Sequence, residues 1–143
     1  MIREFRKGDE VFLAELEREC FSEPWSETAF LESSKNSTVF LLYTEDGKVL
    51  GYAGLQIVLD EGYVTNIAVT KAARRKGIGL DLVAALKALA KTRSLSFISL
   101  EVRISNTPAI SLYEKTGFKK MGIRKNFYSA PTEDAIIMTS EGF

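Results

Sequence analysis

Apolar and polar positions follow two periods along this chain. From Glu10 to Cys20 the apolar residues fall at Phe12, Leu13, Leu16 and Cys20, the spacing that presents one helix face to a core. Asp9 stands where an N-cap is expected, and Ser26 caps a second short helix carrying Thr28, Phe30 and Leu31. Between them, Phe21–Ser26 breaks the pattern with Pro24 and Trp25. Thr38–Tyr43 is β-branched and aromatic, a strand, and Val49–Leu59 is its partner across an Asp46-Gly47 hairpin signal. Gly51 and Gly54 inside that partner predict a bulge or a close approach of backbone. Tyr63–Val69 is the next strand, followed by a helix to about Arg93 with Leu82, Val83, Leu86, Leu89 and Ala90 on one face. Leu95–Ile104 is a strand and Asn106–Lys115 a short helix ending at Gly117. Phe118–Arg124 and Ala135–Thr139 are the last strands, joined by a loop over Asn126–Asp134. With a short strand at Met1–Phe5, the order is β-αα-βββ-α-β-α-ββ. This predicts an α/β fold, a mixed and mostly antiparallel sheet with helices on both faces. No repeat or linker interrupts it, so residues 1–143 read as one domain.

Composition narrows the chemistry. The 19 basic and 19 acidic residues cancel, so neither nucleic acid nor membrane is expected as a partner. There is no histidine, which excludes Ser-His-Asp and Cys-His hydrolysis and leaves no ordinary zinc ligand set; no metal is expected. A general base must then be a carboxylate, Lys, Tyr or Cys. The single cysteine, Cys20, lies among Leu16 and Phe21 and reads as a buried structural thiol in a reduced, cytoplasmic setting. Met1 leads into a strand-like segment without a signal-peptide pattern.

The most informative stretch is Asn66–Leu86. An apolar strand end, Ile67-Ala68-Val69, passes through a basic turn, Lys71–Lys76, into a helix opened by Gly77 and Gly79. A helix N-terminus has backbone N–H groups without partners and a partial positive charge, and glycine lets a bulky anion approach them. A phosphate or pyrophosphate ligand follows. The run is neither G-x-x-x-x-G-K-[ST] nor G-x-G-x-x-G. It is R-x-x-G-x-G, Arg74–Gly79, which resembles the acetyl-CoA signature of the GNAT acetyltransferases. The plainer reading is a basic helix start whose glycines only make the turn.

Two further residues carry chemistry. Glu101 lies mid-strand between Leu100 and Val102, pointing to the opposite face from both. Alone it reads first as an ion-pair partner of Arg103 on the same face, and otherwise as a general base. Tyr113 shares a helix face with Ile110 and reads alone as a core tyrosine. Together, L-E-V-R-I-S-N followed by A-I-S-L-Y and G-F resemble the ribosomal-protein-alanine N-acetyltransferase branch of the GNAT family. So do C-F-S-E-P-W-S at Cys20–Ser26, N-I-A-V at Asn66–Val69, R-K-N-F-Y at Arg124–Tyr128 and E-D-A-I-I-M at Glu133–Met138. The resemblance spans essentially the whole chain.

That resemblance implies a GNAT fold and acetyl-CoA as cosubstrate. The acceptor it implies is a protein N-terminus, plausibly of a small-subunit ribosomal protein. It implies Glu101 as base and Tyr113 as acid. It implies cofactor contacts from the backbone of Ile67, Ala68 and Val69, from the turn Arg74, Arg75, Lys76, Gly77, Ile78, Gly79 and Leu80, and from Asn106. Trp25, Phe127 and Tyr128 are candidate walls of the acceptor groove. The loop Ser129-Ala130-Pro131-Thr132 departs from the branch, being shorter and without glycine. An acceptor of another kind, a small amine, would need an acidic pocket, for which Glu23, Glu27, Glu61, Glu133 and Asp134 are available. A CoA-binding regulator without catalysis is the alternative of a different class.

Overall fold

The computed structural model describes residues 1–143. Its elements run β1 (Ile2–Glu4), α1 (Glu10–Cys20), α2 (Glu27–Lys35), β2 (Thr38–Glu45), β3 (Lys48–Val58), β4 (Glu61–Val69), α3 (Ile78–Thr92), β5 (Phe97–Arg103), α4 (Thr107–Lys115), β6 (Lys119–Tyr128) and β7 (Glu133–Glu141). The order is the predicted one. Ser26 caps α2, its Oγ accepting from the Ala29 amide at 3.1 Å. Asp9 does not cap α1 with its side chain. Its carboxylate instead accepts from both Arg3 guanidinium nitrogens at 2.8 and 2.9 Å and from the Arg6 amide at 2.7 Å, tying β1 to the start of α1. β6 also outruns its predicted end at Arg124: after an irregular stretch Tyr128 pairs with Glu133, and the expected loop contracts to a turn.

The seven strands form one sheet in the order β1-β2-β3-β4-β5-β7-β6. Every neighbouring pair is antiparallel except β4–β5. Alternation along β2 divides the core. Phe40 and Leu42 join Leu13, Leu16, Phe30 and Tyr52 under α1 and α2. Leu41, with Ala53 and Leu55 of β3, joins Leu82, Val83 and Leu86 of α3 and Ile110 and Tyr113 of α4 on the other face. Burying each such large side chain stabilises by about 1.5–3 kcal/mol, so neither helix layer can be peeled away cheaply.

The glycines predicted to mark irregular backbone in β3 do so. A Cβ on Gly54 would meet the Phe40 ring at 2.7 Å. Gly54 pairs with Asn66 and Leu55 with Val64, which leaves Thr65 as an extra residue in β4. That bulge adds twist where β4 approaches β5. Only Glu61, Gly62 and Tyr63 pair with Phe97, Ile98 and Ser99. Beyond them the two parallel strands diverge into a wedge. Along it, the β5-facing edge of β4 up to Val69 offers backbone donors and acceptors without a strand partner.

Candidate active site in the β4–β5 wedge

The wedge opens toward the start of α3. A 3₁₀ turn at Lys71–Ala73 ends β4, and Arg75 and Gly77 then take positive φ values of 67° and 81°. Glycine adopts that conformation without the steric cost other residues pay, and Gly77 is the N-cap position. α2 and α4 are capped by the side chains of Ser26 and Asn106, whereas α3 has no side-chain cap. The first-turn N–H groups at Ile78, Gly79 and Leu80 are therefore left for an outside acceptor. Gly79 faces α4, where a Cβ would meet Leu112 at 3.2 Å, so its lack of a side chain lets the start of α3 pack close to α4.

The basic residues of the turn differ in role. Arg74 donates from Nε to the Val69 carbonyl at 3.1 Å and from Nη2 to the Cys20 sulfur at 3.4 Å. Cys20 itself donates to the same carbonyl at 3.6 Å. Arg74 thus pins the end of β4 to α1, while Arg75 and Lys76 are exposed. Cys20 is half-buried where a buried thiol was expected. Burial pushes its pKa up against the opposing Arg74 charge, which keeps it a protonated, structural thiol. Asn106 uses its side-chain oxygen as the α4 cap, accepting from Ala109 at 3.3 Å, and its amide nitrogen remains free to donate to a ligand.

On β5, Ile98, Leu100 and Val102 are buried under α3 and α4, so Glu101 and Arg103 turn to the other face. They do not pair with each other. Arg103 bonds Glu133 at 3.1 Å and the carbonyls of Pro131 and Ser129 at 3.0 and 3.1 Å, and its guanidinium lies 4.5 Å from the centre of the Tyr128 ring. Arg103 thereby organises the β6–β7 turn. Glu101 is left with Arg124 at 3.8 Å, a partly solvated contact that contributes little.

Tyr113 is buried on α4 against Phe118, ring centres 5.6 Å apart. Burial first, and then the charge of Tyr128, raise its phenol pKa well above the ordinary value, so it is protonated throughout the working range. Tyr128 is pushed up to about 12 by burial and then by Glu101. Tyr128 therefore lies within electrostatic reach of both Glu101 and Tyr113.

Of the acceptor-side candidates, Phe127 is exposed and stacks edge-on against Tyr128 at 5.0 Å. Trp25 packs on Phe30 and Phe40 at 5.3 and 6.3 Å, at the edge of the α1–α2 core. Ser129 donates to Glu23 at 2.8 Å and joins the Trp25 segment to the β6–β7 turn. Sequence reasoning missed Arg103 as an organiser and a buried group, Glu17 with Tyr52 and Asn66. The signal for Glu17 was its place on the apolar face of α1 beside Leu13, Leu16 and Cys20.

The Acetyltransferase (GNAT) family matches residues 11–118. This chain belongs to the GNAT acetyltransferase family. It is 38% identical over 125 residues to the [ribosomal protein bS18]-alanine N-acetyltransferase of Escherichia coli K12, covering 86% of this chain and 84% of that protein. The crystal structure of the ribosomal-protein-S18-alanine N-acetyltransferase from Escherichia coli superposes with a TM-score of 0.92 at 35% identity, over 99% of this chain and 92% of that one. A GNAT acetyltransferase from Elizabethkingia anophelis, solved with acetyl-CoA bound, shares the fold at a TM-score of 0.82 and 23% identity, over 99% and 97% of the two chains. The wedge and the uncapped helix start are thus those of a member of a known acetyltransferase family.

Proposed function

We propose that this GNAT chain moves the acetyl group of acetyl-CoA to the N-terminal α-amine of a protein, the N-terminal alanine of a small-subunit ribosomal protein, in the cytoplasm. The observation that carries the reading is an uncapped helix start beyond the unpaired edge of β4, with Glu101 on the neighbouring β5 and Tyr113 on α4. The full-length likeness to bS18-alanine N-acetyltransferases supports the acceptor.

When bound, acetyl-CoA supplies an activated thioester carbonyl and a thiolate leaving group. The residues present fit it. The first-turn amides of α3, with the backbone of Arg75–Leu80, would hold the pyrophosphate. Backbone groups of Ile67, Ala68 and Val69 would meet the amide-bearing arm along the open edge of β4 and polarise the carbonyl. Arg74 keeps that edge in place through Val69, and the Asn106 amide nitrogen would donate from the start of α4. Arg75 and Lys76 add positive charge that attracts the anion.

A protein α-amine has a pKa of about 7.7–8.0, so near neutrality most of it is protonated and unable to attack. Glu101 takes that proton, directly or through a water, on the sheet face left open beside Phe127 and Tyr128. The freed amine attacks the carbonyl carbon. Tyr113, neutral and buried, donates to the departing sulfur. Trp25, Phe127 and Tyr128 wall the groove in which the incoming N-terminus lies.

The small-amine alternative needs a free acidic cluster. Glu133 is engaged by Arg103 and Ser105, Glu23 by Ser129, Glu61 by Tyr63 and Asp134 by the Asn126 amide. Of these only Glu133 is paired with a cation and Glu27 has no such bond, so the preference for a peptide acceptor rests on the likeness to bS18-alanine N-acetyltransferases.

The test is an acetylation assay with peptides beginning with Ala, run on the wild type and on Glu101→Gln. Loss of the base should lower kcat by roughly 10²–10⁴-fold near neutral pH, and the gap should shrink as rising pH deprotonates the amine without help. Turnover unchanged by Glu101→Gln across pH would remove Glu101 as base, and absence of product from every α-amine would remove the function.

A further inference from the structure

α1 carries a carboxylate that the chemistry above does not use. Glu17 is 1% exposed. Its Oε1 accepts from the Trp25 backbone amide at 3.0 Å. Its Oε2 accepts from the Asn66 side-chain amide at 3.2 Å and from the Tyr52 hydroxyl. The three donors come from the α1–α2 connection, from β4 and from β3, and none is a cation. A buried carboxylate held by dipoles alone is costly, and burial raises its pKa against the three donors. An apolar side chain of the same volume would fill the space at less expense. What the carboxylate adds is a fixed distance between its two oxygens and hence between the groups they hold. One oxygen holds the segment of Trp25, the proposed acceptor wall. The other holds Asn66, the residue before Ile67, beside the Thr65 bulge that helps to open the wedge.

We infer that Glu17 is a positioning residue for acetyl transfer, clamping the acceptor-side segment at Trp25 to the thioester-side strand at Asn66. Its kinetic consequence rests on the acetyltransferase reading above; the clamp itself does not. Amine and thioester react only within a narrow range of separations, so loosening the clamp lowers kcat more than it weakens cofactor binding.

The test uses the full chain in three variants. Glu17→Met keeps an unbranched, flexible side chain of similar length and removes both acceptors. It should lower kcat for an Ala-initiated peptide about tenfold or more, with KM for acetyl-CoA within about threefold. Trp25 is the only tryptophan, so its emission should become more accessible to acrylamide in the same variant. Glu17→Gln should rescue. Its amide oxygen still accepts from Trp25, and its N–H group can donate to Asn66 Oδ1, which has no partner, once the Asn66 amide turns over. Tyr52→Phe removes the one bond that does not reach Trp25 or Asn66, and should lower the melting temperature while leaving kcat unchanged. The clamp is overturned if Glu17→Met keeps wild-type kcat and quenching, or if activity in all three variants merely follows melting temperature. If the wild type acetylates no α-amine, the functional reading fails separately, and Trp25 quenching in Glu17→Met alone decides the clamp: increased, it stands; unchanged, it falls.

Discussion

The two sides of the wedge are built from different material. The proposed cofactor side is backbone: the open edge of β4, a turn with two left-handed residues and the uncapped start of α3. Its geometry is set by strand pairing with β3 and by Ile78, Leu82 and Val83 buried in the core. The proposed acceptor side is side chains on three irregular segments: Trp25 between α1 and α2, Phe127 and Tyr128 at the end of β6, and the turn that Arg103 gathers. Backbone recognition tolerates change in most side chains, provided glycine stays where a left-handed φ or a close approach demands it. Side-chain recognition changes with each substitution. The difference teaches that one cofactor and many acceptors can share this architecture.

Four measurements would break or sharpen that contrast. The largest effect is expected where the two sides meet. Tyr113→Phe should lower kcat by roughly 10²-fold, with CoA affinity unchanged by calorimetry. Because the Tyr113 pKa is raised, the phenol stays protonated as pH climbs, so no alkaline limb of the wild-type pH–rate profile should vanish in this variant. On the cofactor side alone, Gly79→Val should weaken CoA binding about tenfold, as its branched side chain is driven against Leu112 and into the phosphate entrance. Peptide specificity measured at saturating acetyl-CoA should survive. On the acceptor side alone, Phe127→Ala should raise peptide KM by about threefold to tenfold through lost apolar contact and leave CoA affinity as it was. An equal effect on both affinities in either variant would dissolve the distinction.

The smallest effect on the site should come from Asp9→Asn. Asp9 is buried and held below the usual carboxylate range, chiefly by its bonds with Arg3. A depressed pKa contributes stability that is present above the unfolded-state value and lost as pH falls through the folded-state value. Chemical denaturation should therefore find Asp9→Asn less stable by roughly 1–3 kcal/mol at neutral pH. The gap should close in acid, and transfer by the folded protein should be unaffected throughout.

The order of elements, the two-faced helices and the turn before α3 were legible in the sequence, because each rests on local periodicity or on glycine at a position with few substitutes. Leu82, Val83 and Leu86 announce a buried helix face wherever the chain happens to fold, and Gly77 announces a left-handed turn. The phosphate recognition proposed for the amides that follow needs nothing more distant. Asp9 shows the limit of local reading: its position suggested a cap, but Arg3, brought alongside by β1, competes for the carboxylate and wins because a charged donor binds it more strongly than an amide. Glu101 and Arg103 share a strand face in the sequence, and only folding decides that Arg103 turns to Glu133 and leaves Glu101 facing Arg124. The wedge itself appears in no local pattern, since it depends on where the pairing of β4 with β5 stops. Glu17 read as one polar residue on an apolar stripe. Its meaning comes from one donor eight residues on, Trp25, and from two 35 and 49 residues away that reach it only when α1 packs across β3 and β4. Local periodicity is written in neighbouring residues, whereas the partners of a buried charge are chosen by packing.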